Sequence, residues 1–304
     1  MADPLTEVIG LLEPKASFSK LVTAKGRWAV CPPGKEPFYA VLLEGELTLK
    51  VGERPPERIG RGDFMLIPAG DDFTVASLEA PPAGRIMEPV EVGPGVFHLG
   101  EPGVPDTRML VGYCTFGTDD ASLLVSLLPG LVVVRDDRRL TALVELLSEE
   151  ARTSRPGREV VLARLLEVLL IEAFRSTAGP QAAPGLLRGL LDARLASALR
   201  RIHEDPARPW TIRDLAREAS LSRSAFFERF RRAVGVAPME YLAGWRMALA
   251  KNILRSDDAS LGQVARRVGY SSQSTFSVAF TRHVGTPPTT YARGFGRAKS
   301  GVVE

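Results

Sequence analysis

A stretch of 20 residues occurs twice near the end of this 304-residue chain. Ser222–Tyr241 and Ser272–Tyr291 are identical at nine positions when they are aligned at an offset of 50. Upstream of the two copies the offset falls to 49, and the one extra residue lies in the turn Gly269-Tyr270-Ser271. A length difference confined to a turn is typical of two copies of a helix–turn–helix unit. The repeat therefore predicts two such units in an all-α C-terminal region.

Each copy carries the residues that begin and end helices. A capping pair precedes the first helix, a serine N-cap opens the second, and a glycine stands where the second helix would end. These residues are Thr211 with Asp214, Ser222 and Gly235 in the first copy, and Ser260 with Gln263, Ser272 and Gly285 in the second. The first helices are predicted over Thr211–Ala219 and Ser260–Val268, each followed by a tight turn.

The second helix of each copy has one apolar and one polar face. The residues predicted to be buried, at i, i+4 and i+8, are Phe226, Phe230 and Val234 in the first copy and Phe276, Phe280 and Val284 in the second. The opposite faces would expose Arg223, Ser224, Phe227, Glu228 and Arg231 in the first copy and Gln273, Ser274, Ser277, Val278 and Thr281 in the second.

These exposed groups suit the major groove of DNA. Glutamine can pair with adenine, glutamate can accept from cytosine, and valine or phenylalanine can contact the thymine methyl group. Arg223, Arg231, Arg232 and Arg282 suit phosphates, which position a protein without reading sequence. We predict that this set of residues binds double-stranded DNA, with a solvated helix face as the alternative for each residue taken singly.

The segment between the copies and the charge distribution agree with a DNA partner. Met239–Ser256 is predicted to be one helix of 18 residues, about 27 Å long at ~1.5 Å per residue. One turn of B-DNA spans ~34 Å, so one chain could place both second helices in successive grooves. From Leu186 onward, 20 Lys and Arg stand against 10 Asp and Glu, whereas the residues before it hold 19 and 26. A basic C-terminal third behind an acidic body predicts a polyanionic partner for that third.

The stretch from Leu195 to Arg293 resembles the DNA-binding domain of the AraC/XylS family of bacterial transcription regulators. The resemblance is carried by WTIRDLAREASLSRSAFFERFRRAVGVAPMEYLAGWRMALAKNIL and by VARRVGYSSQSTFSVAFTRHVGTPPTTYAR, and it covers about a third of the chain. It implies two helix–turn–helix units joined by a linker helix, and a DNA site of the direct-repeat type. Thr286-Pro287-Pro288 departs from the small residue and single proline that the family usually has there.

The residues before this region have a different pattern. From Phe18 to Phe116 the chain is rich in glycine and proline, with short alternating apolar runs such as Phe38–Lys50. That pattern is typical of an antiparallel β sandwich or barrel. Leucine stripes then predict two helices, Asp136–Ala151 and Glu159–Arg175, before the small-residue linker Ser176–Gly185. The predicted fold class is α+β: an N-terminal antiparallel β barrel with two following helices, then an all-α domain.

The N-terminal region is similar to the cupin domain fused to many AraC-family regulators. Gly62–Gly70 has the spacing of the second cupin motif, and FYAVLLEG (Phe38–Gly45) and LLVSLLP (Leu123–Pro129) resemble other parts of that domain. The last slots of the second motif hold Phe73 and Ser77 in place of His and Asn. The predicted domains are a cupin-like sensing domain over 1–135, a helical dimerisation segment over 136–178, a linker over 179–189 and a double helix–turn–helix domain over 190–296.

The metal ligands of an enzymatic cupin are not found in this pattern. The slots that resemble the ligand positions of the first motif hold Lys35, Tyr39 or Ala40, and His98 is the one histidine of the N-terminal body. A cupin metal site needs two or three imidazoles with a carboxylate. We therefore predict no metal, no cofactor and no catalytic residue. The alternative is a cupin enzyme, metal-free or metal-dependent, fused to a DNA-binding domain.

A small barrel without a metal can hold an apolar or mixed small-molecule effector. Trp28, Tyr39 and Phe73 are candidate walls of its pocket, with a plain core role as the alternative for each. The two cysteines, Cys31 and Cys114, would form a redox switch if they lay close together, although buried inert thiols are the commoner case.

The two predicted helices after the barrel favour a homodimer. Their stripes hold more apolar surface than one packing partner requires, in particular at Val161, Leu162, Leu166, Leu169 and Leu170. The resemblance also implies that helices in this position dimerise. A ligand-independent DNA-binding dimer, whose barrel serves only for dimerisation, is a further alternative.

The expected location follows from what the sequence lacks. No apolar run reaches the ~18 residues of a membrane span, and the N-terminus MADPLTEVIG has no basic region of a signal peptide. Two cysteines fit a reducing compartment. We expect a cytoplasmic protein with no membrane partner. With the two resemblances, the sequence predicts a sequence-specific DNA-binding transcriptional regulator, controlled by a small molecule in the N-terminal barrel.

Overall fold

The computed structural model describes residues 3–32, 36–68, 72–79, 81, 86–117, 122–125, 128–153, 155–176, 184–256 and 259–299. The chain forms two compact units. The β unit comprises Leu12–Asp119 and Leu128–Ala178, and the helical unit comprises Met1–Leu11, Asp120–Leu127 and Gly179–Glu304.

The described strands all belong to the β unit. They are β1 (Pro14–Lys25), β2 (Ala29–Val30), β3 (Phe38–Glu44), β4 (Leu47–Val51), β5 (Glu57–Ile59), β6 (Phe64–Ile67), β7 (Phe73–Ala76), β8 (Val90–Gly93), β9 (Val96–Gly100), β10 (Thr107–Phe116) and β11 (Val132–Val134).

These strands form two sheets. The larger sheet has seven strands in the order β11-β6-β3-β10-β1-β9-β8, and the smaller has four in the order β2-β7-β4-β5. Every described pairing is antiparallel except that of β1 with β9. Inward-facing side chains of both sheets, such as Val22, Leu49 and Val75, share one core. The predicted α+β class is confirmed, but the sheets do not close into a single barrel, because the end strands β8 and β11 pair with no strand of the smaller sheet in the described residues.

Two helices pack on the larger sheet. They are α3 (Arg138–Arg152) and α4 (Arg158–Ser176), which confirms the two helices predicted after the barrel. Helix α3 packs on β1, β3 and β10, and α4 packs on β1 and β11. The carboxylate of Asp137 caps α3 by accepting from the backbone N–H groups of Arg139 (2.8 Å) and Leu140 (3.1 Å).

The remaining described helices lie in the helical unit. They are α1 (Pro4–Leu12), α2 (Ser122–Val125), α5 (Leu186–Leu191), α6 (Ala193–Glu204), α7 (Ile212–Glu218), α8 (Arg223–Val234), α9 (Pro238–Ser256), α10 (Leu261–Arg267), α11 (Gln273–Val284) and α12 (Pro288–Lys299). Helix α9, of 19 residues, is the connecting helix predicted between the two repeats, extended by one residue.

The helical unit includes two segments that the sequence placed in the sensing domain. Helix α1 buries Leu5, Val8 and Ile9, a spacing of i, i+3 and i+4 that puts them on one face. Glu7 of the same helix bonds to His203 of α6. Helix α2 packs on α9. The compact units thus differ from the predicted domains at the N-terminus and around residue 122.

The predicted linker over 179–189 includes the start of a helix. Residues 179–183 lie outside the described residues. Helix α5 begins at Leu186, and the side chains of Leu186 and Leu187 are buried, because α5 packs on α6 and α8. Part of the predicted linker over 179–189 therefore belongs to the core of the helical unit.

Candidate nucleic-acid interface and effector cavity

Both copies of the repeat begin with a capping box. The backbone N–H of Asp214 donates to Thr211 Oγ1 (3.2 Å), and the N–H of Thr211 donates back to Asp214 (3.2 Å). The N–H of Gln263 donates to Ser260 Oγ (3.3 Å), and the N–H of Ser260 donates to Gln263 Oε1 (2.8 Å). The hydrogen bonds from Thr211 hold the pKa of Asp214 below its ordinary value. The predicted starts of α7 and α10 are confirmed.

The second helices begin and end as the sequence predicts. Ser222 accepts from the N–H of Ala225 (3.3 Å), and Ser272 accepts from the N–H of Thr275 (3.1 Å). The helices end at two glycines in the left-handed region, with φ of 92° and 82°. A side chain would strain the backbone there.

The apolar faces of the second helices pack on equivalent tyrosines. Phe226, Phe230, Phe276 and Phe280 are fully buried. The ring of Phe230 meets Tyr241 edge-on at 5.7 Å between centroids, and that of Phe280 meets Tyr291 at 5.4 Å. The same aromatic pair therefore fixes α8 and α11 against the helix that follows each of them.

This packing leaves most of the predicted DNA-binding residues accessible. The exposed ones are Arg223, Ser224, Glu228, Arg231, Arg232, Gln273, Ser274, Val278 and Arg282. The half-buried ones are Phe227, Ser277 and Thr281. Thr281 Oγ1 donates to the carbonyl of Ser277 (2.8 Å), so its hydroxyl hydrogen is committed within the helix. Val278 is 71% exposed. DNA contact by these residues stays a prediction.

Two further arginines lie beside α8. An open concavity between α7 and α8 is lined by Arg213, Arg217 and Arg223, together with Ser220 and Ser222. Three guanidinium groups around a helix N-terminus favour an anion such as a DNA phosphate. Sequence reasoning missed Arg213 and Arg217, although their i, i+4 spacing puts them on one face of α7.

A cavity of about 480 Å³ lies inside the β unit. Its wall is mostly apolar and includes Phe38, Phe97 and Met109, and its polar groups include Lys20 and Tyr113. Lys20 is half-buried, and burial lowers the pKa of its ammonium group below the usual value. Burial raises the pKa of Tyr113 to about 12, so its hydroxyl keeps its proton at neutral pH.

The three aromatic residues predicted as pocket walls do not line this cavity. Tyr39 is on the opposite face of β3 from Phe38, because successive side chains of a strand alternate, and it packs over Gly112 instead. Phe73 lies on β7, two residues before the cavity residue Val75, with its ring 4.7 Å between centroids from that of Phe38. Trp28 is fully buried in the core between the sheets. Phe38, the residue before Tyr39, lines the cavity instead of Tyr39.

The cupin-like positions have structural partners. Both ring nitrogens of His98 are in hydrogen bonds, with Thr23 Oγ1 (2.9 Å) and the Glu101 carbonyl (2.8 Å). Ser77 Oγ accepts from the N–H of Trp28 (3.0 Å) and so ties β7 to the chain before β2. In the part of the chain that the structure describes, no three His, Cys, Asp or Glu side chains are placed to hold a metal ion.

The two cysteines differ in environment. Cys31 is exposed, whereas Cys114 is fully buried. Burial raises the pKa of the Cys114 thiol to about 12. Because the thiolate is the reactive form, Cys114 is an inert thiol at neutral pH.

Comparison with known proteins gives matches over nearly the whole chain. Residues 3–179 match the cupin family model, and residues 215–294 match the helix-turn-helix domain model. An AraC-like transcription regulator of Streptomyces lividans is 36% identical over 311 residues, which cover 96% of this chain and 98% of the relative. The regulator AlkR of Acinetobacter baylyi is 25% identical over 95% of this chain and 98% of its own length. The DNA-binding domain of AdpA, solved in complex with a target DNA, is 28% identical, covers 35% of this chain and 96% of that chain, and has a TM-score of 0.34.

The duplicated helix–turn–helix units and the cupin-type sheets together define a two-domain DNA-binding transcription regulator. The chain belongs to the AraC-like transcription regulators. None of the helices that the structure describes has the length and apolar character needed to cross a bilayer.

Proposed function

We propose that this regulator binds specific DNA sites through the exposed faces of α8 and α11, under the control of a small molecule bound in the cavity of the β unit. It acts in the cytoplasm, as a homodimer, and catalyses no reaction. The observation that carries the proposal is the duplicated unit, whose buried phenylalanines leave nine of the predicted contact residues exposed.

The contact residues divide by chemistry. Arg223, Arg231, Arg232 and Arg282 are cations for phosphates, which set register and affinity. Glu228 and Gln273 have the hydrogen-bonding groups for base edges, and Val278 has the apolar surface for a thymine methyl group. The first copy therefore contributes a mixed acidic and basic face, and the second a nearly neutral one.

The cavity supports control by a small molecule. Its volume of about 480 Å³ lies within the range of ~300–1,000 Å³ of small-molecule sites. It is walled by β1, β3, β9 and β10 of the larger sheet and by β2 and β7 of the smaller one. A ligand between the two sheets can bind one arrangement of them more tightly than another, and a difference of that kind is what shifts a regulator between states.

The exposed side of α4 supports the homodimer. The predicted stripe residues Leu162, Leu166, Leu169 and Leu170 are buried within the β unit and so are not available to a partner. Val161 and Val168 are 43% and 41% exposed, and the half-buried Leu165 lies between them. These three, at i, i+4 and i+7, form one apolar stripe (the α4 stripe) of the kind that pairs with a second helix.

The experiment is retention of genomic DNA. Full-length protein is incubated with sheared DNA of its own genome near physiological salt, and the retained fragments are sequenced. Enrichment of a few intergenic sites supports the proposal. Loss of that enrichment in the Gln273→Ala variant would show that the exposed face of α11 recognises the base sequence. Uniform retention of all fragments that vanishes with added salt would mean phosphate binding without sequence recognition, which contradicts it.

A further inference from the structure

Lys20 lies at a position of β1 where the alternation of side chains predicts an apolar residue. On β1 it shares a face with Val22 and Ala24, both buried in the core between the sheets. In the β1–β10 register it is paired with Val111, another residue of that core. Lysine is rarely placed on an inner sheet face, because removing an ammonium from water is unfavourable. Local departures of this kind concentrate at functional sites.

The ammonium of Lys20 is held over two aromatic rings of the cavity wall. Lys20 Nζ lies 5.0 Å from the ring centroid of Phe97 and 5.4 Å from that of Tyr113. Such contacts stabilise the cation and fix its place. Its depressed pKa shows that burial still disfavours the charged form, and a nearby anion would offset this.

The acidic groups near the cavity lie in a different setting from Lys20. Glu88 is part of the lining, and the charge of Glu36 acts on Tyr113 and helps to raise its pKa. Both carboxylates are exposed, so water and salt screen them, whereas Lys20 is half-buried in the wall. The rings of Phe97 and Tyr113 would otherwise attract a cationic ligand, but the Lys20 ammonium already lies over them and would repel it. The inside of the cavity therefore selects for negative charge at one end and for apolar surface elsewhere.

We propose that the cavity binds a hydrophobic organic anion, with its acidic head on the Lys20 ammonium and its apolar body among Phe38, Phe97 and Met109. The protonated hydroxyl of Tyr113, whose ring touches that of Phe38 at 5.5 Å, is a second donor for the head. This ligand class rests on the proposed function, in which the cavity is the effector site.

The test compares three probes with one apolar body and different heads. Naphthylacetate, naphthylethanol and naphthylethylammonium are titrated into the full-length protein by calorimetry at neutral pH. We expect the acid to bind with a Kd at least about tenfold lower than that of the alcohol, and the ammonium to bind most weakly. Equal affinities, a preference for the ammonium, or no binding of any probe would overturn the proposal.

Two variants assign the preference to Lys20. Lys20→Met removes the charge and keeps an unbranched apolar side chain, so the acid should lose its advantage while the alcohol binds as before. Lys50→Met, at an exposed position of β4, is the matched control and should bind all three probes like the parent. Retention of the acid preference in Lys20→Met would also overturn the proposal.

Failure of this proposal and failure of the proposed function are distinguishable. Genomic retention of specific fragments is measured without any probe. If specific fragments are retained but the acid probe binds no more tightly than the others, the proposed ligand class is wrong and the proposed DNA-binding function still stands.

Discussion

The imidazole of His203 and the carboxylate of Glu7 are joined by a hydrogen bond of 2.7 Å, although they are 196 residues apart in sequence. The other ring nitrogen of His203 lies 2.7 Å from the Tyr241 hydroxyl, and the ring stacks on Trp245 at 4.1 Å between centroids. His203, a residue of α6, is thus buried against α1 and α9. The helix at the start of the chain is therefore an integral part of the unit that carries the DNA-binding repeats.

Glu7→Ala should destabilise the helical unit by about 1–3 kcal/mol, because it leaves a buried imidazole nitrogen without its partner. The chain has three tryptophans, and Trp210 and Trp245 lie in the helical unit. Urea unfolding followed by tryptophan fluorescence in a Trp28→Phe background reports this unit. Glu145→Ala, at an exposed position of α3, is the control and should leave the transition unchanged. An equal midpoint for both variants would contradict the role of Glu7.

Acid should destabilise the helical unit through His203. Burial lowers the pKa of His203 below 6.5, although Glu7 partly opposes this. The unfolded chain then binds the proton more readily, so the contribution to stability is present above pH ~6.5 and is lost as pH falls through the folded pKa. NMR titration of the ring protons, with His203 assigned by its absence in His203→Gln, should give a midpoint below 6.5. A midpoint above 6.5 would mean that protonation of His203 stabilises the helical unit, which is the opposite of this expectation.

Thiol labelling should separate the two cysteines. Cys31 is exposed and Cys114 is buried with a raised pKa, so one thiol per native chain should react quickly with a maleimide. The second should react only after unfolding. Cys31→Ser should abolish the fast phase, and Cys114→Ser should preserve it. Fast reaction of both thiols in the native protein would contradict the described burial.

Val168→Glu should weaken dimerisation at least about tenfold, because it puts a charge in the α4 stripe. Val160, 65% exposed and about 100° away from Val161 around the helix, offers the matched control. Sedimentation velocity over a concentration series measures both variants. A monomeric parent protein, or an equal effect of Val160→Glu, would show that the α4 stripe is not the interface.

The repeat region could be predicted almost completely from the sequence, because its signals are local. Caps such as Thr211 with Asp214 act over three residues, and the buried phenylalanines follow the helical period. The sheet region could be predicted only in outline. The choice between Phe38 and Tyr39 as a cavity wall depends on the phase of one strand, and an error of one residue turns every side chain to the other face.

Lys20 and Glu7 could not be found from the sequence for a different reason. The place of Lys20 in the cavity depends on the pairing of β1 with both β9 and β10, which are distant in sequence. The contact of Glu7 with His203 spans most of the chain. Non-local contacts of this kind leave no periodic pattern, so a lysine in a strand and a glutamate near a terminus look like ordinary surface residues.

Operator affinity as a function of salt tests most directly whether the exposed faces of α8 and α11 contact DNA. A fragment from the genomic retention experiment and a scrambled control are titrated with the parent protein, Gln273→Ala and Arg231→Ala. We expect Gln273→Ala to lose ~1–3 kcal/mol of preference for the operator, and Arg231→Ala to weaken both fragments equally and lower the salt slope by about 1. Identical behaviour of the two variants on both fragments would contradict the assignment of these faces.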